Sequence, residues 1–292
     1  MTITFDDRDI AGHAPSAAVL DLRKRYADDI GVRPVAADVT TADMLLDGIP
    51  AIDVRTPGVR DDGVLLWVHG GAYVAGFARA AVGLAGGIAR GARIRAASVE
   101  YRLAPEHPFP APLDDVLTAY RALLHEGVPV DRIAFGGESA GGGLVLSALV
   151  ALRDAGEPLP AAAVVLSPWT DLSLSGGSIA TKASADPVLS EAALRPDALD
   201  YLAGCDARDP RISTAFADLT GLPPLAVHVG SHEVLLDDAV RLAARAAEAD
   251  VQVELTVYPR EHHGFEHGEM ADASSRGSLH AAGEFLRRQL DR

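Results

Sequence analysis

Residues 137–141 read Gly-Glu-Ser-Ala-Gly, a serine with glycine two positions away on either side. A short apolar run, residues 132–135, precedes the motif, and an Ala/Leu-rich stretch, residues 140–154, follows it. Ser139 is therefore expected on a tight turn from a strand into a helix. Small neighbours let the chain make that turn without clashes, and the helix then points its N-terminal amides at the serine. This is an arrangement for a nucleophile, set against the plain alternative of a Gly-rich turn with an idle serine. A second motif, His69-Gly70-Gly71-Ala72, directly follows the apolar run at residues 64–68. Consecutive glycines allow backbone N–H groups to turn inward and hold an oxyanion, where one donor is worth about 3 kcal/mol of transition-state stabilisation. A simple tight turn is the other reading. A phosphate loop would require Gly-x-Gly-x-x-Gly or a Lys-Ser/Thr ending, and neither is present. His69 itself is expected to brace the loop.

A serine nucleophile needs a base and a carboxylate to orient it. The pair His262-His263 precedes Gly264-Phe265, late in the chain and after an expected strand ending at Tyr258. In the Ser…acid…His order of α/β-hydrolases the base lies on such a loop; His263, beside the Gly-Phe pair, is the preferred candidate and His262 the weaker one. The acid is expected after the run at residues 225–229, where Glu233, Asp237 and Asp238 are available. Asp237 and Asp238 open the following helix, positions where carboxylates commonly serve the cap or the dipole. That leaves Glu233. His232 is expected at the surface. HExxH and dinucleotide fingerprints are both missing from the sequence.

These residues need a scaffold. Apolar, strand-length runs occur at residues 64–68, 93–99, 132–135, 162–166, 225–229 and 251–258. Helical patterns lie between or after them, at 80–90, 112–125, 140–154, 237–249 and 275–289. Alternation of this kind predicts a mostly parallel sheet covered by helices on both faces. Ahead of it, residues 17–30 read as an amphipathic helix, with two edge strands near 36–43 and 49–54. Residues 171–222 are rich in Gly, Ser, Pro and Asp, and Pro187 and Pro196 argue for short helices at best. Insertions after a strand's carboxyl end sit over the ligand crevice of such sheets. The chain is thus expected to form one domain over residues 1–292, with 1–45 and roughly 171–213 contributing a small helical cap.

Composition narrows the function further. The 292 residues carry 26 basic and 41 acidic side chains, a net charge of −15, which disfavours nucleic-acid and anionic-membrane partners. Cys205 is the single cysteine, so no internal disulfide and no thiolate cluster can form. The first ten residues lack the basic start and apolar run of a secretion signal. The longest apolar stretch, residues 140–152, is shorter than the roughly 20 residues needed to cross a bilayer. A soluble, cytoplasmic protein is expected.

Taken together, the motifs resemble those of the bacterial hormone-sensitive-lipase-like esterases within the α/β-hydrolases. The similarity is carried by His69-Gly-Gly, the Ser139 turn, Tyr101-Arg-Leu-Ala-Pro-Glu106-His-Pro-Phe-Pro-Ala-Pro112, Leu166-Ser-Pro-Trp-Thr-Asp171, Asp209-Pro-Arg-Ile-Ser213, Leu219-Thr-Gly-Leu-Pro-Pro224 and His263-Gly-Phe. The resemblance implies hydrolysis of short- to medium-chain carboxylic esters without a cofactor or metal. It makes Ser139 the nucleophile, His263 the base and Glu233 the orienting acid, with the backbone amides of Gly70, Gly71 and Ala140 as oxyanion donors. It assigns the stretches around Tyr101 and Trp169 to holding the fold. Its small-molecule ester could equally be a lactone, and a ligand-binding protein on the same fold is the reading from another class. A homodimer is an expectation carried by the resemblance alone. Three positions depart from the family pattern: Ala72 stands for a third glycine, Glu138 for the usual Asp or Thr before the serine, and Glu233 for the usual Asp of Asp-x-Leu-x-Asp.

Overall fold

Residues 64–68 are apolar throughout because they serve two cores at once. Val64, Leu66 and Val68 pack on one side, and Leu65 and Trp67 on the other. They form the inner part of β3 (Arg60–Val68) in the computed structural model, which describes residues 12–33, 35–268 and 272–292. The other strands are β1 (Thr40–Leu46), β2 (Ile49–Arg55), β4 (Ile94–Val99), β5 (Ile133–Glu138), β6 (Ala162–Leu166), β7 (Leu225–Gly230) and β8 (Val253–Tyr258). They make an eight-stranded sheet in the order β1-β2-β4-β3-β5-β6-β7-β8. The β1/β2 and β2/β4 pairs are antiparallel, and every pair from β4/β3 to β7/β8 is parallel.

Helices cover both faces. On one side lie α2 (Val82–Ala92) and α8 (Ala273–Leu290), whose Ile88, Leu279, Phe285 and Leu286 pack with Leu65 and Trp67. On the other lie α3 (Ala111–His125), α4 (Ala140–Asp154) and α7 (Leu236–Glu248), with Leu117, Leu144 and Leu242 in the core that holds Leu66 and Val68. The doubly covered, mostly parallel sheet expected from the alternation is the fold found. α1 (Ala17–Asp29) is the N-terminal helix, and α5 (Ser178–Thr181) and α6 (Glu191–Leu202) lie in the long connection between β6 and β7.

Some local expectations need correction. The first edge strand begins at Thr40 rather than near 36, because residues 37–38 turn and the Val39 N–H closes onto Ala36 O. Residues 40–46 therefore belong to the sheet, not to a cap, and residues 1–11 of the expected cap lie outside the described residues. Pro196 does not stop a helix: α6 runs through it for 12 residues, capped by the Ser190 hydroxyl, which accepts the Ala193 N–H. Buried Leu194, Ala198, Tyr201 and Leu202 supply the packing that offsets the missing hydrogen bond.

Two sets of contacts fasten the peripheral segments. Arg23 of α1 donates to Val74 O at 2.7 Å and to Ala104 O at 3.0 Å, and grips both carboxylate oxygens of Glu106 at 2.7 Å. In the β6–β7 connection, Asp238 takes the backbone N–H groups of Thr170 and Asp171 at 2.8 and 2.9 Å, and Asp237 takes that of Ser178 at 2.9 Å. The two aspartates stand in the first turn of α7 as expected, but neither caps Leu235; their carboxylates anchor another segment. Replacing Asp238 with Ala strands two buried N–H groups and is expected to cost about 2–4 kcal/mol. A shift of the urea unfolding midpoint by less than about 0.5 kcal/mol equivalent would contradict this.

Candidate active site

β5 ends at Glu138 and α4 begins at Ala140, so Ser139 makes the whole turn, at φ 56° and ψ −121°. A residue with a Cβ is held there only by its surroundings, at a cost of about 1–3 kcal/mol. Close approach by the chain shows why glycines flank it. A Cβ on Gly141 would lie 2.1 Å from Val68 O and 2.4 Å from His69 O, and one on Gly137 would lie 2.5 Å from Gly141 O. The first turn of α4 is thereby pressed against the end of β3, where the His69 loop starts.

The structure brings Ser139, His263 and Glu233 together. Ser139 Oγ is 3.0 Å from His263 Nε2, and His263 Nδ1 is 3.0 Å from Glu233 Oε2. Ser139 and His263 are each 6% exposed, and Glu233 is fully buried. The serine follows β5, the glutamate follows β7 and the histidine follows β8, all at the carboxyl ends of parallel strands. With Nδ1–H donated to Glu233, Nε2 is left free to take the hydroxyl proton. His262 turns away, its Nδ1–H donating to His263 O at 2.9 Å. His232 is half-buried and stands outside the cluster, its backbone N–H on Glu261 O.

Glu233 is held from the far side. Its Oε1 accepts the Ser167 hydroxyl at 2.7 Å and the Gly230 N–H, and the neighbouring Val234 N–H donates to Asp186 at 2.9 Å. Sequence reasoning missed Ser167 and Asp186. A polar residue immediately after β6, the strand beside β7, was the available signal for Ser167. Asp186 gave none, because the contact spans 48 residues. Burial by itself lowers the His263 imidazole, but the Glu233 carboxylate reverses this, helped by Glu138 and Asp186, and raises it to about 9.

The glycine loop is only partly as expected. Gly71 sits at φ 115°, and a Cβ there would lie 2.2 Å from Ala75 O. The Val74 and Ala75 N–H groups both close onto Gly71 O, at 3.1 and 2.8 Å. Ala72 adopts φ 56°, so the residue replacing the third glycine is a left-handed alanine. Among the described residues, no acceptor meets the N–H of Gly71 or Ala140. Gly70 is placed differently from the expectation: its N–H faces Glu138 Oε2 at 3.2 Å, a buried carboxylate that competes for the donor. His69 braces the loop as anticipated. Its Nδ1–H donates to Gly70 O at 2.7 Å, its ring stacks on Tyr101, and burial lowers it to about 4, so it is neutral. Tyr101 in turn donates to His69 O at 2.9 Å. Tyr73 is core, stacked on Tyr201 with centroids 4.0 Å apart, whereas Phe77 is half-buried against Tyr26 of α1.

Comparison with known proteins identifies the family to which this fold belongs. Residues 65–267 match a family described as having the alpha/beta hydrolase fold. An esterase structure from the bacterial hormone-sensitive lipase family superposes with a TM-score of 0.91 at 44% identity, covering 95% of this chain and 93% of that one. The chain belongs to this family. Its curated relatives include an acetyl-hydrolase of Streptomyces hygroscopicus, 43% identical over 82% of this chain and 84% of that protein. An esterase of Acinetobacter venetianus is 35% identical over 70% of this chain and 71% of its own. A structure described as EstE5-PMSF has a TM-score of 0.90 at 37% identity, covering 96% of this chain and 95% of that one. Within this hormone-sensitive-lipase family framework, no helix among the described residues is long and apolar enough to cross a membrane.

If His263 must be neutral to act, ester turnover should rise with pH along a limb centred well above the ordinary imidazole range, near about 9. Glu233→Gln removes the group that raises it, so the limb should move toward acid while the maximal rate falls. A kcat/KM profile over pH 5–10 checks both, and a wild-type limb below about 6.5 would contradict the arrangement.

Proposed function

We propose that this ester hydrolase works through Ser139, with an acyl-enzyme intermediate formed from short- to medium-chain carboxylic esters. The observation that carries the reading is the unbroken Ser139–His263–Glu233 relay, both links 3.0 Å. Ser139 Oγ attacks the ester carbonyl as its proton passes to His263 Nε2. The N–H groups of Gly71 and Ala140 hold the oxyanion, and Gly70 anchors their loop by donating to Glu138. His263 then gives its proton to the leaving alcohol as the carbonyl–oxygen bond breaks. Water attacks the acyl-serine, losing a proton to His263, and the carboxylic acid departs as that proton returns to Ser139.

The short-chain preference is favoured by the relative described as an acetyl-hydrolase. α1 and the segment over residues 171–213 form the cap in this reading. The Arg23 clasp on Val74 and Glu106 supports it by seating α1 beside the glycine loop.

A p-nitrophenyl ester series from acetyl to lauroyl tests the proposal, with Ser139→Ala alongside. Turnover should peak at short or middle lengths, and the variant should lose about 10⁴- to 10⁶-fold in kcat. Ser139→Ala retaining full activity, or wild-type protein inert toward every ester, would sink it.

A further inference from the structure

Glu138 is a buried carboxylate beside the nucleophile, and the relay makes no use of it. Its surroundings show where it reaches. Oε2 accepts the Gly70 N–H at 3.2 Å and lies 3.6 Å from Nε2 of His267, an ion-pair distance longer than a hydrogen bond. The carboxylate also fills the space over Gly70: a Cβ on that glycine would lie 2.3 Å from Oε2 and 2.8 Å from the carboxyl carbon. On its other side Oε1 sits 3.8 Å from where a Cβ on Gly264 would be, next to His263. One side chain borne on the serine turn therefore meets the glycine loop and His267, and lies near the loop that carries His263.

We propose that Glu138 and His267 act as a positioning pair, in which His267 holds the Glu138 carboxylate against the Gly70 N–H and so fixes where the Gly71 and Ala140 N–H groups point. Neither residue touches substrate. The role is distinct from that of Glu233, which orients the base. The Gly70 N–H belongs to the peptide before Gly70 and the Gly71 N–H to the peptide after it, whose Gly70 O accepts from His69 at 2.7 Å; Glu138 holds the first peptide and His69 the second, so that together they fix the loop on both sides of Gly70. An oxyanion donor is useful only when aimed at the transition-state oxygen, and loss of that aim slows the chemical step more than it weakens substrate binding. The electrostatics are compatible with a charged Glu138. Burial alone would raise its carboxyl, but His267, followed by His263, reverses this and holds it below the usual range. His267 lines a cavity of about 200 Å³ together with Ile30, Gly31, Arg33 and Arg79.

The inference rests on the serine-esterase reading, and the test separates the two. Steady-state hydrolysis of p-nitrophenyl butyrate would be measured for wild type, Ser139→Ala, Glu138→Gln, His267→Gln and the Glu138→Gln/His267→Gln double variant. Glu138→Gln should lose about 10- to 100-fold in kcat with KM within about threefold, because the donors are misaimed and not removed. His267→Gln should show a smaller loss in the same parameter. The double variant should be no slower than Glu138→Gln, since the two residues act through one contact. Losses that multiply, losses confined to KM, or unchanged kcat in both single variants would overturn the pair. Should Glu138→Gln not fold, His267→Gln decides by itself: a fall in kcat at constant KM supports the role, and wild-type kcat overturns it. Absence of Ser139-dependent turnover in the wild type would overturn the esterase reading and this inference with it. Ser139-dependent turnover left intact in both single variants would overturn the positioning role alone.

Discussion

The arrangement depends on one strained residue. Ser139 is held at φ 56° because β5 must become α4 within a single peptide unit, and the contacts around it leave no room for a wider turn. The carbonyls of Val68 and His69 lie where a side chain on Gly141 would be, so the serine turn and the glycine loop are packed as one piece. The strain is distributed along the loop as well: Ala72, Tyr73 and Ser167 are non-glycine residues with positive φ, and all lie within or beside the site. Each costs on the order of 1–3 kcal/mol and is sustained by the surrounding core. The buried centre of the sheet, with residues 64–68 shared between two apolar cores, is what makes that affordable.

The second organising element is a set of buried carboxylates in a chain that is already strongly acidic. Glu138, Glu233, Asp171, Asp186 and Asp238 are all buried, and each accepts hydrogen bonds or faces a cation. A buried charge without such partners would cost several kcal/mol. The partners differ, and so do the consequences. Asp171 is opposed by burial but held low by Ser173, Ser175 and Arg241, whereas burial pushes Asp238 up to about 7 despite two backbone donors. Glu233 passes its influence to His263. In this way the loops after β6 and β7 are tied together by acids that receive backbone N–H groups, and the loop after β8 joins them through the His263 ring on Glu233.

Much of the framework was legible from the chain alone. Strand runs and helical patterns came out within a few residues of the elements found, with β6 and α4 at the same limits, because doubly buried parallel strands are apolar at every position. The errors fall where local rules compete with tertiary contacts. Pro196 reads as a breaker, yet four buried apolar side chains carry α6 through it. Asp237 and Asp238 read as helix-head residues and stand in the first turn of α7, yet the N–H groups they accept belong to residues 170–171 and 178.

The sequence by itself determined the candidate nucleophile, the loop beside it and the chain order of acid and base, because each rests on a short motif set between a strand and the element that follows it. Ser139 needs small neighbours, an oxyanion loop needs glycines, and a base needs a late loop after a strand. Tertiary structure decided everything that depends on distance across the fold. It set Glu233 against His263 and buried Ser167 and Asp186 behind them. It also turned the Gly70 N–H toward Glu138, 68 residues away, instead of toward the serine. The reason is physical: a motif encodes what a backbone can do, whereas the partner of a buried donor is settled by which acceptor the folded chain brings within 3 Å or so.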